Sequence, residues 1–397
     1  MGKAERDLIA MAAASPMLAR TRDWAAVNSG TGNLAGLEQV AALMADAFAG
    51  LPGPVELIPP VPVTTVDPAG RDIAIEHGRH LSVAVRPDAP VQLLLTGHMD
   101  TVYPADHPFQ TVVERSDGTL HGPGTADMKG GLAVMLAALE AVESAGLHHI
   151  GYRVIVNSDE ETGSLSSAAL IAEAAWGKVA ALTYEPALAD GTLAGARGGS
   201  GNFSIVVRGR AAHAGRNPED GRNALVAAAA LAVRLAEAGG PGLSVNPARI
   251  DGGGPNNVVP DLAVLRINFR PADADAVARA QAALDAGVAQ VAAAHAVEIV
   301  AHGGFTRPPK PVDAGAERLF ACVGAAGAAL GVAIRRRDTG GVCDGNLIAA
   351  AGVPVVDTMG VRGAAIHSPN EFMAIDSLAE RAALSALTIA RLGEGRW

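Results

Sequence analysis

Residues 91–100 read Val91-Gln92-Leu93-Leu94-Leu95-Thr96-Gly97-His98-Met99-Asp100. The run Val91–Leu95 is apolar except at Gln92. A short apolar run closed by glycine is the pattern of a strand buried on both faces. It ends by delivering a histidine and an aspartate, and two later runs end in the same way. Val154-Ile155-Val156-Asn157-Ser158 leads into Asp159-Glu160-Glu161, and Ala181-Leu182-Thr183-Tyr184 leads into Glu185. In parallel sheets, ligand-binding groups lie outside the carboxyl ends of the strands. A single acid after a single strand is an ordinary solvated loop. The same outcome at three successive strands gathers His98, Asp100, Glu160, Glu161 and Glu185 on one rim.

Working outward, Tyr152–Val156, Val179–Thr183 and Val353–Val356 read as further strands, and Gly131–Val142, Ser167–Ala175, Asn223–Ala238 and Ser377–Leu392 as helices. The alternation predicts an α/β fold, a mostly parallel sheet covered by helices. The middle third differs. Asn202–Arg208 and Leu262–Asn268 alternate like half-buried strands, with helical runs at Asn223–Ala238 and Ala274–Ala293. This suits a smaller α+β insert at 199–310, leaving 1–198 and 311–397 as one discontinuous domain. The Pro-rich stretch Arg307-Pro308-Pro309-Lys310-Pro311 marks the return hinge.

The bulk properties agree with two domains. The chain has 397 residues, 49% of them apolar, and single cores rarely grow past roughly 250–300 residues. Its net charge is −10, which leaves no electrostatic footprint for nucleic acid or an anionic membrane. No stretch reaches the roughly 18–20 apolar residues of a membrane span. The opening MGKAERDLIAM carries acids and does not read as a signal peptide. Cys322 and Cys343 are the only cysteines, too few for a disulfide framework, so a cytoplasmic location is expected.

Asp127 lies in His121-Gly122-Pro123-Gly124-Thr125-Ala126-Asp127-Met128-Lys129-Gly130-Gly131, a glycine-rich loop running into an apolar helix. Alone it reads as a helix cap. A nucleotide loop is excluded, because no Gly-Lys-Ser/Thr follows. Beside the strand-end acids it reads as a carboxylate placed to bridge two cations.

These segments, with the later His367-Ser368, resemble in order the family of two-zinc peptidases that contains aminoacylase, acetylornithine deacetylase and glutamate carboxypeptidase. Asn28-Ser29-Gly30-Thr31-Gly32, Ala212-His213-Ala214-Gly215 and Thr339-Gly340-Gly341 look like the glutamate carboxypeptidase branch. The resemblance implies a catalytic metal domain with an inserted domain that acts as lid and dimer surface. It implies two Zn2+ per chain, with Co2+ or Mn2+ as competitors. Asp127 would bridge them, His98 and Glu185 would complete one site, and Glu161 and His367 the other. Glu160 would be the general base, and Asp100 would accept the second ring N–H of His98.

The resemblance also implies that His213 reaches the partner's site in a homodimer, and that Asn257 and Arg270 bind the substrate's terminal carboxylate. Arg197 and Arg307 fall near positions that are basic in glutamate-specific members; they read either as the cradle of an acidic side chain or as ordinary hinge charge. Cys343 reads as a buried, inert thiol. The expected substrate is a small peptide or N-acyl-amino acid cut before a C-terminal residue, glutamate first. The alternatives are an aminoacylase or dipeptidase preferring neutral residues, and a non-catalytic metal- or amino-acid-binding protein. A pure binder has no use for Glu160.

Overall fold

The computed structural model describes residues 1–396. Its central sheet has six strands in the order Val55–Ile58, His80–Val85, Ile150–Asn157, Val91–His98, Ala180–Thr183 and Val355–Val356. Only His80–Val85 runs against the others; the last four strands are mutually parallel. Alternate side chains of each inner strand enter different cores. Leu93 and Leu95 pack with the helices Gly130–Ser144 and Ser377–Gly393. Leu94 points the other way, into a core with Ile171, Ala174 and Ile348 from the helices Ala168–Ala175 and Asp344–Ala350. Both faces of the sheet are therefore covered, which is why the quoted run has so little polar alternation.

Strand register places the functional ends together. His98 pairs with Asn157, and Thr96 with Thr183, so the loops after all three strands leave the same edge. Helix Gly130–Ser144 begins hard against that edge. A Cβ on Gly131 would lie 2.1 Å from the backbone oxygen of Tyr184, so only glycine permits the approach.

A second, five-stranded sheet was not foreseen. It orders Ala187–Leu188, Arg362–Ala364, Phe372–Ala374, Thr119–His121 and Val113–Glu114. Phe372 pairs with His121, which brings the loop after His121 beside the loop before Phe372. The first carries Asp127 and the second carries His367.

Between Ser200 and Arg307 the chain forms a four-stranded antiparallel sheet with its own core. The order is Leu243–Gly252, Leu262–Pro271, Ser200–Arg208 and Glu298–Arg307, with the helices Ala224–Glu237 and Ala274–His295 packed on it. The two strands expected from alternation are the central pair; the edge pair was missed. Leu243–Gly252 contains Pro247, where the register shifts, and Glu298–Arg307 contains Gly303 at φ 108°. Edge strands tolerate such residues because one side of the ladder is free. The chain enters and leaves this unit side by side: the Arg197 and Lys310 backbones exchange hydrogen bonds of 2.9 Å in each direction. Among the described residues, no helix is long and apolar enough to cross a membrane.

Candidate active site

His98 is almost fully buried at the end of its strand. Its Nδ1 lies 3.0 Å from the backbone oxygen of Asp100, which can only accept, so Nδ1 carries a proton. Its Nε2 faces Asp127 Oδ1 at 3.0 Å and Glu185 Oε1 at 3.8 Å. The other oxygen of Asp127, Oδ2, lies 3.2 Å from His367 Nε2, and that nitrogen is also 3.2 Å from Glu161 Oε2. Asp127 thus divides its two oxygens between two histidines, each with a further carboxylate beside it.

The side chain of Asp100 also faces His98 Nδ1, and it has a second task. Its Oδ1 is 3.3 Å from His98 Nδ1, longer than the backbone contact. The same carboxylate accepts the backbone N–H groups of Glu160 and Glu161 at 3.2 and 3.1 Å and the Thr31 hydroxyl at 2.7 Å. It ties the loop Asn28–Gly32 and the turn Glu160–Thr162 to the end of the His98 strand.

Glu160 is held apart from its neighbour. Its Oε1 lies 2.8 Å from Arg307 Nη2, an arginine partner that Asp127, Glu161 and Glu185 lack among the described residues. Arg307 also binds Asp344 at 2.9 Å and donates to Ser164 Oγ at 2.9 Å.

The charges of the cluster are strongly coupled. Burial pushes the Glu160 carboxyl well above the usual range, against the pull of Arg307. Burial and the charge of Asp127 push Glu161 up to about 7. Burial opposes a charged His98, but hydrogen bonds to Asp100, Asp127 and Glu185 outweigh it and raise its pKa well above the histidine range. His367, bonded to Asp127 and Glu161, is raised to about 11. His98 Nε2 with Asp127 Oδ1, and His367 Nε2 with Glu161 Oε2, are pairs of atoms that could each serve as ligands to one cation. Imidazole nitrogen and carboxylate oxygen, free of thiolate, fit a hard or borderline divalent cation. Ligand atoms of His98, Asp127 and Glu161, and separately of His98, Glu160 and Glu185, lie within 4.8 Å of one another.

The Peptidase family M20/M25/M40 sequence profile matches residues 94–391. The chain belongs to this family. As an M20 protein it is a metal-dependent hydrolase of peptide or amide bonds. It is 33% identical over 318 residues to carboxypeptidase G2 of Pseudomonas sp. (strain RS-16), covering 77% of this chain and 74% of the relative. It is 30% identical over 344 residues to succinyl-diaminopimelate desuccinylase of Psychrobacter sp. (strain PRwf-1), covering 79% and 81%. An M20 family metallo-carboxypeptidase from Sulfolobus solfataricus shares the fold, with a TM-score of 0.72 at 15% identity over 96% of this chain and 100% of that one.

The M20 hydrolase opens its cluster to a cavity of about 380 Å³ lined by Asp127, Glu160, Glu161, Glu185 and His367. Arg197 and Cys343 form part of the facing wall. Arg197 is committed: its Nε and Nη2 bind both oxygens of buried Asp357 at 2.7 and 3.1 Å, and Nη1 donates to the Gly341 backbone. Arg307 is buried behind Glu160 and is not among the lining residues. Of the two readings left open for these arginines, the ion pairs favour structural charge at the hinge, since buried guanidinium groups are stable only when paired. Cys343 is buried, and burial pushes its thiol well up.

Arg270 lines an adjoining cavity, whose wall shares Arg197 and Thr339 with the first. His213 and Asn257 are brought together with each other but not with the cluster. Both are exposed on a short ribbon of the insert, where His213 pairs with Val258 and Ala214 N–H donates to the Asn257 oxygen at 2.9 Å.

Two residues of the M20 site escaped the sequence. Glu371, fully buried, accepts the backbone N–H groups of Ala126 and Asp127 at 3.0 and 3.1 Å through Oε1. Its Oε2 accepts the Tyr103 hydroxyl at 2.9 Å, and that hydroxyl also reaches the Ser368 backbone oxygen at 2.8 Å. Glu371 therefore locks the Asp127 loop to the His367 loop. The one available signal was its place four residues after His367, in a loop where an acid reads as solvated.

Proposed function

We propose that this M20 enzyme hydrolyses the amide bond before a C-terminal amino acid, using two zinc ions per chain. The observation that carries the reading is the division of Asp127 between His98 and His367, with Glu185 beside one and Glu161 beside the other. Those five residues would hold the ions; Co2+ or Mn2+ would suit the same donors. When bound, such a pair supplies an activated water and polarises the scissile carbonyl. Glu160 takes a proton from the attacking water and returns it to the leaving amine. Its raised pKa favours that return, and Arg307 fixes the carboxylate in place. Asp100 holds Glu160 and Glu161 in register with His98.

The α-carboxylate of the substrate is assigned to Arg270, whose planar fork suits a carboxylate. Residues 1–198 and 311–397 form the catalytic domain, and 199–310 form a lid that also pairs two chains. His213 and Asn257 then complete the partner's site, which explains their distance from their own. Two free, buried cysteines support a reducing, cytoplasmic setting. The likeness to carboxypeptidase G2 supports glutamate as the released residue, while desuccinylase relatives keep N-acyl-amino acids with other side chains as the second reading.

The test is a panel of N-acetyl-amino acids and their C-terminal amides with zinc-loaded protein. Free carboxylates should be hydrolysed and amides left intact. Equal cleavage of the amides, or removal of unblocked N-terminal residues instead, would overturn the reading.

A further inference from the structure

We propose that Arg337 is the cation that recognises an acidic side chain on the substrate's C-terminal residue. The inference rests on the carboxypeptidase reading above. Arg307 is paired with Asp344 and Glu160, and Arg197 with Asp357, an acid it shares with Lys310 at 3.3 Å. A third arginine, on the same cavity wall as Arg197, carries no ion pair among the described residues. Arg337 lies on the strand Arg336–Thr339, which runs parallel to Leu193–Arg197 with Arg337 opposite Ala194 and Thr339 opposite Arg197. It is exposed and lines the same cavity as Glu161, Glu185 and His367. Among the described residues no hydrogen bond or ion pair engages its guanidinium. Its neighbour Arg336 is spent elsewhere, paired with Glu317 at 2.6 Å and stacked over Phe320. The charge of Arg337 is felt by exposed Asp190, but without a direct contact.

Spacing makes the match specific. Thr339 lines both cavities, and Arg270 lies in the second. An α-carboxylate held by Arg270 in the second cavity would leave the rest of the residue to pass Thr339, on the wall common to both, towards Arg337 in the first. Positions two apart on a strand face the same way and are about 6.5–7 Å apart. The two carboxyl carbons of glutamate are separated by four C–C bonds, which span about 5 Å when extended. A long, flexible guanidinium closes the remainder. Glutamate fits this step, and an apolar residue leaves the cation unpaired.

The test compares kcat/KM for N-acetyl-glutamate and N-acetyl-glutamine, near-isosteres that differ in charge, on zinc-loaded wild type and Arg337→Met. The wild type should prefer glutamate about tenfold or more, the scale of a charge-assisted hydrogen bond. Arg337→Met should bring the ratio close to one, and in the wild type 0.5 M salt should shrink it. An exposed site makes misfolding of the variant easy to exclude by its circular dichroism. A ratio that survives Arg337→Met, or a wild type without preference, overturns the assignment. So does a variant that changes the succinyl-to-acetyl ratio on one amino acid while glutamate preference stays, because Arg337 would then serve the acyl half. Absence of turnover on every N-acyl-amino acid would instead overturn the underlying reading, and this one with it.

Discussion

Glu160 and Glu161 are adjacent in the chain, yet one carboxylate meets Arg307 and the other meets His367. A single turn, pinned by Asp100, is enough to give neighbouring acids different partners. Protonation at this centre yields a prediction. In the cation-free protein His367 holds its proton up to about pH 11 and Glu161 up to about pH 7. Both groups must lose those protons to become ligands, so cation binding lowers their pKa and releases protons. Affinity should therefore rise with pH, by about tenfold per unit for each proton displaced near neutrality. Calorimetric titration with zinc in buffers of different ionisation enthalpy should detect the release; uptake independent of pH between 6 and 8 would contradict it. At this scale the sequence was legible where geometry is forced. Strand ends in a parallel sheet have one direction, so His98, Glu160, Glu161 and Glu185 could be gathered from their places in the chain. The roles of Arg197 and Arg307 stayed open because nothing local shows that Asp357, Asp344 and Glu160 fold back onto them.

Among the elements, the small five-stranded sheet does most to set the site. It aligns the segments on either side of two loops, and Glu371 joins those loops through the Ala126 and Asp127 N–H groups. His367 itself adopts φ 60°, a left-handed backbone that a non-glycine residue holds only when its surroundings over-determine it. Glu371→Ala should weaken zinc affinity about 10–100-fold, as loss of groups supporting metal ligands does, and Glu371→Gln should restore part of it by keeping one acceptor oxygen. Direct metal titration reads both variants; equal affinity in wild type and Glu371→Ala would refute the clamp. The strands of this sheet are two or three residues long. Such pieces carry no periodicity, which is why the sheet stayed hidden while Val91–His98 was plain. The edge strands of the insert were hidden for a related reason, since Pro247 and Gly303 break the pattern that their central neighbours keep.

For the whole molecule, the position of His213 and Asn257 is the outstanding geometric fact. They share one exposed ribbon, away from the cavity of their own chain. The proposed homodimer, in which each insert would serve the other site, would account for this. Mixing His213→Ala chains with Glu160→Gln chains should restore part of the activity, because one site in each mixed dimer receives both intact groups. A strictly monomeric, fully active enzyme would contradict the arrangement. The central proposal is that Asp127 would be shared by two cations and that Glu160 would act as the general base for the attacking water. Its most direct test is stepwise zinc addition to metal-free wild type and Glu160→Gln, with bound metal and hydrolysis of an N-acetyl-amino acid followed together. Both proteins should take up two equivalents per chain. Wild-type activity should reach its plateau only as the second fills, and Glu160→Gln should stay about 10²–10⁴-fold slower throughout. Full activity at one equivalent, or near-normal turnover by Glu160→Gln, would contradict the account.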